Sequence, residues 1–95
     1  MTKLNQQEIG ENLNSLHQSW LQEGEFITRV FEFGNFIHAF GFMTSVAIEA
    51  EKAGHHPNWQ NVYNKVTISL STHKAGGLTM KDFSLAIKID QLFKN

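Results

Sequence analysis

The chain has 95 residues, of which 41% are hydrophobic, 18% charged and 12% aromatic, so its composition is that of one globular domain with one modest core. Eight Lys and Arg against nine Asp and Glu leave a formal charge of −1, which argues against a general binder of nucleic acids or anionic membranes. Cysteine is absent, which excludes disulfides, thiolate catalysis and Cys-ligated zinc.

The first third of the chain is predicted to form a short helix followed by two strands. Asn5 and Glu8 have the spacing of a capping box, which begins a helix over about 6–16. A turn at Gly24 separates a short strand around 19–22 from a strand over 26–33 that is rich in β-branched and aromatic residues. Apolar residues fall on both faces of this second strand, so we expect a second copy of the chain to cover part of it.

A long helix is predicted to begin after Asn35 and to end at Gly54, because glycine tolerates the left-handed conformation just past a helix. Its buried stripe is predicted to contain Phe36, Phe40, Met43, Ala47 and Ala50. The apolar stretch over 36–48 is too short to span a bilayer and is interrupted by polar residues. We therefore expect a protein of the reducing cytoplasm.

From Pro57 onwards the hydrophobic period changes to two. Val66, Ile68 and Leu70 alternate with polar residues, which is typical of a strand with one buried face. A turn at Asn64-Lys65 predicts a hairpin between strands over 59–63 and 66–72, and one continuous strand is the alternative.

The last element is predicted to be a helix with its own capping box, formed by Thr79 and Asp82. Phe83, Ala86 and Ile87 are predicted to lie on its buried side. The order α-β-β-α-β-β-α predicts an α+β fold of two layers, in which helices pack on one face of an antiparallel sheet.

Three of the five histidines, His55, His56 and His73, lie within nineteen residues. Imidazole has an ordinary pKa of about 6.5 and can exchange protons near neutral pH. The residues allow three interpretations: a histidine pair on a surface loop, a zinc site completed by Asp82, or a general acid–base site. Adjacent histidines usually diverge and no HExxH spacing is present, so the acid–base interpretation is favoured over metal.

The histidines belong to a longer pattern, E-x3-H-H-P-x5-Y-x9-H-x8-D. Its members are Glu51, His55, His56, Pro57, Tyr63, His73 and Asp82. This pattern resembles the signature of the pterin-4a-carbinolamine dehydratases, also called dimerisation cofactors, and the likeness extends over about 31–89. The resemblance implies a four-stranded antiparallel sheet with three helices on one face.

The resemblance also implies an activity. Members of the family remove water from 4a-hydroxytetrahydrobiopterin to give quinonoid dihydropterin, which recycles the pterin cofactor of aromatic amino acid hydroxylases. No metal or organic cofactor is implied, and a homodimer or homotetramer is expected. Some members also bind a dimeric transcription factor, so an interaction module, or a pterin-binding partner without catalysis, is the alternative.

Roles for individual residues follow from the same resemblance. His55 and His73 are the expected acid and base, His56 is expected to hold the pterin, and Asp82 to orient an imidazole. The residues expected to support or contact the substrate are Glu51, Pro57, Trp59, Ser71 and Thr72, with a place in the core as the alternative for Trp59. The chain departs from its relatives at Gly54, Asn58 and Ser45, where they often carry Asp or Asn, an acidic residue and Arg.

Overall fold

A four-stranded antiparallel sheet carries three helices on one of its faces, in the element order predicted from the sequence. The computed structural model describes residues 2–93. Its elements are α1 (Gln6–Leu13), β1 (Leu21–Glu23), β2 (Phe26–Glu32), α2 (Phe36–Ala53), β3 (Asn58–Val62), β4 (Lys65–Leu70), a 3-10 turn (His73–Ala75) and α3 (Met80–Leu92). The strands lie in the order β1-β2-β4-β3. Among residues 2–93, no helix is long and apolar enough to cross a membrane.

Both predicted capping boxes are confirmed. At α1 the backbone N–H of Glu8 donates to the Asn5 side chain, and the backbone N–H of Asn5 donates to the Glu8 carboxylate, both over 2.8 Å. The helix ends at Leu13, three residues earlier than predicted, because the polar residues that follow form turns through their own hydrogen bonds. Because one of these turns lies around His17, β1 begins at Leu21 and not near residue 19 as predicted.

The predicted buried face of α2 is wrong at three of its five positions. Phe36 and Phe40 are 47% and 56% exposed, and Ala47 is exposed as well. The residues that α2 buries are Ala50, as predicted, and Ala39, Phe42 and Val46, each of which comes one position before a predicted residue. Because α2 is apolar around most of its circumference, periodicity alone could not distinguish the two faces.

The exposed apolar surface of α2, called here the α2 outer face, consists of Phe36, Ile37, Phe40, Thr44, Ala47 and Ile48. Ile37 and Ile48 are 78% and 53% exposed. On α3, the prediction is wrong for Ile87, which is 45% exposed, while Phe83 and Ala86 are buried. The helical layer therefore exposes a group of large apolar side chains on α2.

The alternation of β2 is regular once Arg29 is placed on the buried face. Arg29 is 7% exposed, and its Nη1 donates to Asp90 Oδ1 over 2.8 Å. It lies on the same face as the buried Ile27 and Phe31. On the helix-free face, called here the open face, β2 exposes one large aliphatic side chain, Val30. The open face of β2 therefore exposes fewer apolar side chains than the sequence predicts.

The predicted hairpin between β3 and β4 is confirmed, with its turn one residue earlier. Val62 pairs with Lys65, so Tyr63 and Asn64 form the turn. Antiparallel pairing places the start of β3 beside the end of β4, where Asn58 pairs with Ser69. The connections that carry the predicted site residues therefore meet at this end of the sheet.

Candidate active site

The end of α2 positions the histidine pair. Gly54 adopts a left-handed conformation (φ 62°), and its N–H donates to the carbonyl of Glu51. The N–H of His55 donates to the carbonyl of Ala50 over 3.0 Å. These two bonds are those of a Schellman motif, which ends the helix and fixes the direction of the following residues. His55 and His56 thus leave α2 on a rigid backbone.

The segment after β4 presents His73. The backbone of Thr72 pairs with Gly77 across a short loop, with a distance of 2.9 Å from Thr72 N to Gly77 O. Within this loop, His73 begins the 3-10 turn, which closes when the N–H of Gly76 donates to the carbonyl of His73. Gly76 has φ 75°, a conformation that favours glycine. His73 is exposed at the start of this closed loop.

Asp82 is wholly buried and receives donors from three segments of the chain. Its Oδ2 accepts from the Thr72 hydroxyl and from the Thr79 N–H, each over 2.9 Å. Its Oδ1 lies 2.5 Å from His55 Nε2. A carboxylate only accepts hydrogen bonds, so this network assigns the proton between them to Nε2 and leaves Nδ1 as the basic nitrogen of neutral His55.

A cavity of about 310 Å³ opens beside this network and is lined by both His56 and His73. The other residues that line it are Glu25, Phe26, Pro57, Asn58, Ser69, Ser71, Gly76 and Gly77. His56 Nε2 lies 2.9 Å from Glu51 Oε1, and both side chains are largely exposed. The volume is at the lower end of the roughly 300–1,000 Å³ that is usual for small-molecule sites.

The structure brings together most of the residues that the sequence singled out. His56, Pro57, Ser71 and His73 line the cavity itself. A second group lies outside the lining: His55 with its side chain 11% exposed, the buried Asp82 and Thr72, and Glu51, which reaches the site through His56.

Trp59 takes a different position. It pairs with Ile68, whose side chain is buried, and directly paired residues of two strands project to the same face of a sheet. Trp59 is half-buried and packs against the hydrophobic core. It does not line the cavity that contains His56 and His73, so the structure favours the core position over the cavity wall.

The sequence did not single out several residues that line the cavity. Ser69 alternates with buried residues of β4, a signal that could have placed it on the open face beside Ser71. Asn58 was noted only as a departure from the family pattern. Glu25 lies in the β1–β2 turn and Phe26 begins β2, and no local signal connects them with His56 or His73, which are at least 30 positions away in the chain.

The donors near the cavity do not form a metal centre of the usual kind. Within residues 2–93, no group of three or more His, Asp or Glu side chains is close enough to hold a metal ion. The carboxylates instead contact imidazoles in separate pairs, His55 with Asp82 and His56 with Glu51. The arrangement is suited to proton transfer.

Comparison with known proteins identifies the protein family to which this fold and this histidine-lined cavity belong. The family described as "Pterin 4 alpha carbinolamine dehydratase" matches residues 2–92. A relative from Solibacter usitatus, named "Putative pterin-4-alpha-carbinolamine dehydratase", is 50% identical over 96% of this chain and 95% of its own. One of the same name from Prochlorococcus marinus strain NATL2A is 52% identical over 81% of each chain. The chain belongs to the pterin-4a-carbinolamine dehydratase family.

Two solved structures share the fold. A transcriptional coactivator/pterin dehydratase from Brucella melitensis is 41% identical, with a TM-score of 0.91 over 96% of this chain and 98% of its own. A pterin dehydratase-like protein, described as a RuBisCO assembly factor in the alpha-carboxysome, is 26% identical, with a TM-score of 0.68 over 80% of this chain and 90% of its own. Proteins of this fold are therefore described with different roles.

Proposed function

We propose that this protein is a hydro-lyase that dehydrates 4a-hydroxytetrahydrobiopterin to quinonoid dihydropterin. In this reaction the C4a–O bond breaks, and the departing hydroxyl takes a proton and leaves as water. N5 loses its proton, and a C4a=N5 double bond forms. The reaction needs one proton donor and one proton acceptor and no electron transfer, which is general acid–base chemistry.

The observation that carries this proposal is the cavity between the two histidine-bearing connections. His73 enters from the end of β4 and His56 from the end of α2, and both line the same space. A buried carboxylate, Asp82, lies behind the cavity and contacts the adjacent His55. Family membership supplies the substrate class, since the matched family is described by its dehydratase activity.

Within this site, we assign His73 and His55 as the groups that exchange protons with the substrate. Asp82 acts as a positioning residue, because its contact with Nε2 fixes the ring and leaves Nδ1 to take or give a proton. His56, which also lines the cavity, holds the pterin. Ser71 presents polar groups to the edge of the pterin ring, and Thr72 supports the site through its hydrogen bond to Asp82.

The test is dehydration of the 4a-carbinolamine by the purified chain, followed by ultraviolet absorbance. We expect acceleration over the spontaneous reaction, unchanged by exhaustive chelation, and a large loss in His73→Ala. His38→Ala is the matched control, because His38 is exposed on α2 and does not line the cavity. A wild-type chain that does not exceed the spontaneous rate would overturn the proposal, and zinc-restored activity after chelation would overturn metal independence.

The physiological setting that we propose is recycling of tetrahydrobiopterin in the cytoplasm by a homodimer or homotetramer. The structural support for assembly is the α2 outer face, where four large apolar side chains are between 47% and 78% exposed. Contiguous apolar surface of this kind marks interaction sites. An aromatic amino acid hydroxylase is the expected consumer of the recycled pterin.

A second candidate function uses this same face. The α2 outer face could bind a helical segment of another protein, such as a dimeric transcription factor, and the Brucella melitensis neighbour is described as a transcriptional coactivator. The two functions are separable, because the α2 outer face and the cavity do not share residues. An interaction module without catalysis would fold normally but would not accelerate dehydration of the carbinolamine. The dehydration assay therefore distinguishes the two functions.

A further inference from the structure

A second depression adjoins the histidine cavity on the open face of the sheet. It has a volume of about 300 Å³ and shares Phe26, Asn58 and Ser69 with the cavity. From there it continues over the sheet past Thr28, Gln60 and Thr67 towards Glu23, and Trp59 completes its lining. This depression, called here the open-face groove, does not contain any of the histidines.

The groove is built from the outward side chains of neighbouring strands. Asn58 pairs with Ser69, and Gln60 pairs with Thr67, so amide and hydroxyl groups alternate across β3 and β4. Thr28 adds a third strand, and its hydroxyl lies 2.8 Å from that of Ser69. Each of these side chains can both donate and accept hydrogen bonds, which suits a ligand that carries hydroxyl groups.

The charges around the groove disfavour an acidic ligand. Among the described residues, the charged side chain that lines it is Glu23, and no lysine or arginine does so. Glu25 lines the adjoining cavity. A carboxylate or phosphate in the groove would face these negative charges without a cationic partner, whereas a neutral group would not.

The connectivity of the pterin ring explains why a subsite should begin here. In a tetrahydropterin, C6 is bonded to N5, and N5 is bonded to C4a, the carbon that loses hydroxide. A substituent on C6 therefore leaves the ring two bonds from the reacting carbon. If the ring occupies the histidine cavity, its C6 substituent must start close to the histidines, where the groove opens at Asn58 and Ser69.

We infer that the open-face groove is a specificity subsite for a neutral, hydroxylated C6 substituent of the pterin. This inference rests on the proposed function, because it places the pterin ring in the histidine cavity. At the roughly 30 Å³ that a water molecule occupies in the liquid, the groove holds on the order of ten non-hydrogen atoms. A three-carbon polyol chain fits within it. The α2 outer face lies on the opposite side of the sheet, so assembly through α2 leaves the groove accessible.

The test measures binding of three stable 7,8-dihydropterins by fluorescence, so it does not depend on turnover. The probes carry a methyl group, a trihydroxypropyl chain, or the anionic p-aminobenzoylglutamate tail at C6. We expect the trihydroxypropyl compound to bind about three- to tenfold more tightly than the methyl compound, as one additional hydrogen bond predicts. We expect the anionic compound to bind no more tightly than the methyl compound.

Two variants test whether a preference for the trihydroxypropyl compound arises from the groove. Thr67→Val removes a hydroxyl at nearly constant volume, and Gln60→Ala alters an exposed residue of an edge strand, so both should fold. Each should weaken binding of the trihydroxypropyl compound severalfold and leave the methyl compound unchanged. The matched control is Thr44→Val, which removes a hydroxyl on the α2 outer face.

The outcomes separate this inference from the proposed function. Equal binding of all three dihydropterins, or a preference that survives both variants, would overturn the groove assignment and leave the dehydratase proposal standing. Tighter binding of the anionic compound would also overturn it. If none of the dihydropterins binds, the groove assignment and the proposed function fail together.

Discussion

His55 and Asp82 are 27 positions apart in the chain, yet the imidazole Nε2 of one lies 2.5 Å from the carboxylate Oδ1 of the other. The same carboxylate accepts from the N–H of Thr79 and thereby caps α3. One buried side chain therefore begins a helix and orients a histidine beside the cavity. We therefore expect stability and the proposed activity to depend on the same residue.

Asp82→Ala is expected to lower both stability and turnover. Loss of the cap should cost about 0.5–2 kcal/mol if capping residues are a guide. The Thr72 hydroxyl and the His55 imidazole would also lose their buried acceptor, which adds about 1–3 kcal/mol. Urea denaturation measures the first effect and the dehydration rate the second.

The control for Asp82 is Asn5→Ala, which removes the cap of α1 at an exposed position outside the histidine cavity. It should lower the free energy of unfolding by about 0.5–2 kcal/mol without changing the rate. An Asp82→Ala protein that is folded under assay conditions and retains the wild-type rate would contradict the assigned positioning role.

His55 and His73 are expected to act together in proton transfer. His55→Ala and His73→Ala should each reduce turnover by about 10²–10⁴-fold, as is usual for lost general acid–base catalysis. The double variant should lose far less than the product of the two single losses, because residues that act together are not additive. Near wild-type rates in both single variants, with circular dichroism of folded protein, would show that these histidines are not catalytic.

His56→Ala is expected to raise KM more than it lowers kcat, because His56 lines the cavity and its proposed role is to hold the pterin. Its partner Glu51 is exposed, and exposed ion pairs contribute about 0–1 kcal/mol. Glu51→Gln should therefore change KM by less than about fivefold. Steady-state kinetics with both variants test this division, and a fall in kcat alone for His56→Ala would assign that residue to the chemical step instead.

Assembly is expected to depend on the α2 outer face. Sedimentation of the wild-type chain at high micromolar concentration should show a dimer or a larger species. Phe40→Glu should shift it towards the monomer, because a charge would be buried in an apolar interface. Val30→Glu tests the open face of β2, where assembly was first expected from the sequence. A wild-type monomer would refute assembly. If Val30→Glu dissociates the assembly and Phe40→Glu does not, the interface lies on the sheet and not on α2.

Much of the fold could be predicted because its signals are local. The two capping boxes, the left-handed Gly54 and the turn between β3 and β4 each depend on residues a few positions apart, and all four are found in the structure. Spacing in the chain also placed His56 and His73 at the ends of neighbouring elements, where they meet at one cavity. The family pattern then supplied a reaction for these residues.

Other features depend on which surfaces pack together, and only the tertiary structure decided them. Most of the circumference of α2 is apolar, so its periodicity predicted Phe36, Phe40 and Ala47 to be buried although they are exposed. Arginine is seldom buried without a partner, yet Arg29 is buried beside Asp90, which is 61 positions away and accepts its hydrogen bond. Local patterns determine where elements begin and end, because capping and turn energies act over a few residues. Burial of a face is decided by contacts between distant elements, which a single periodic pattern does not encode.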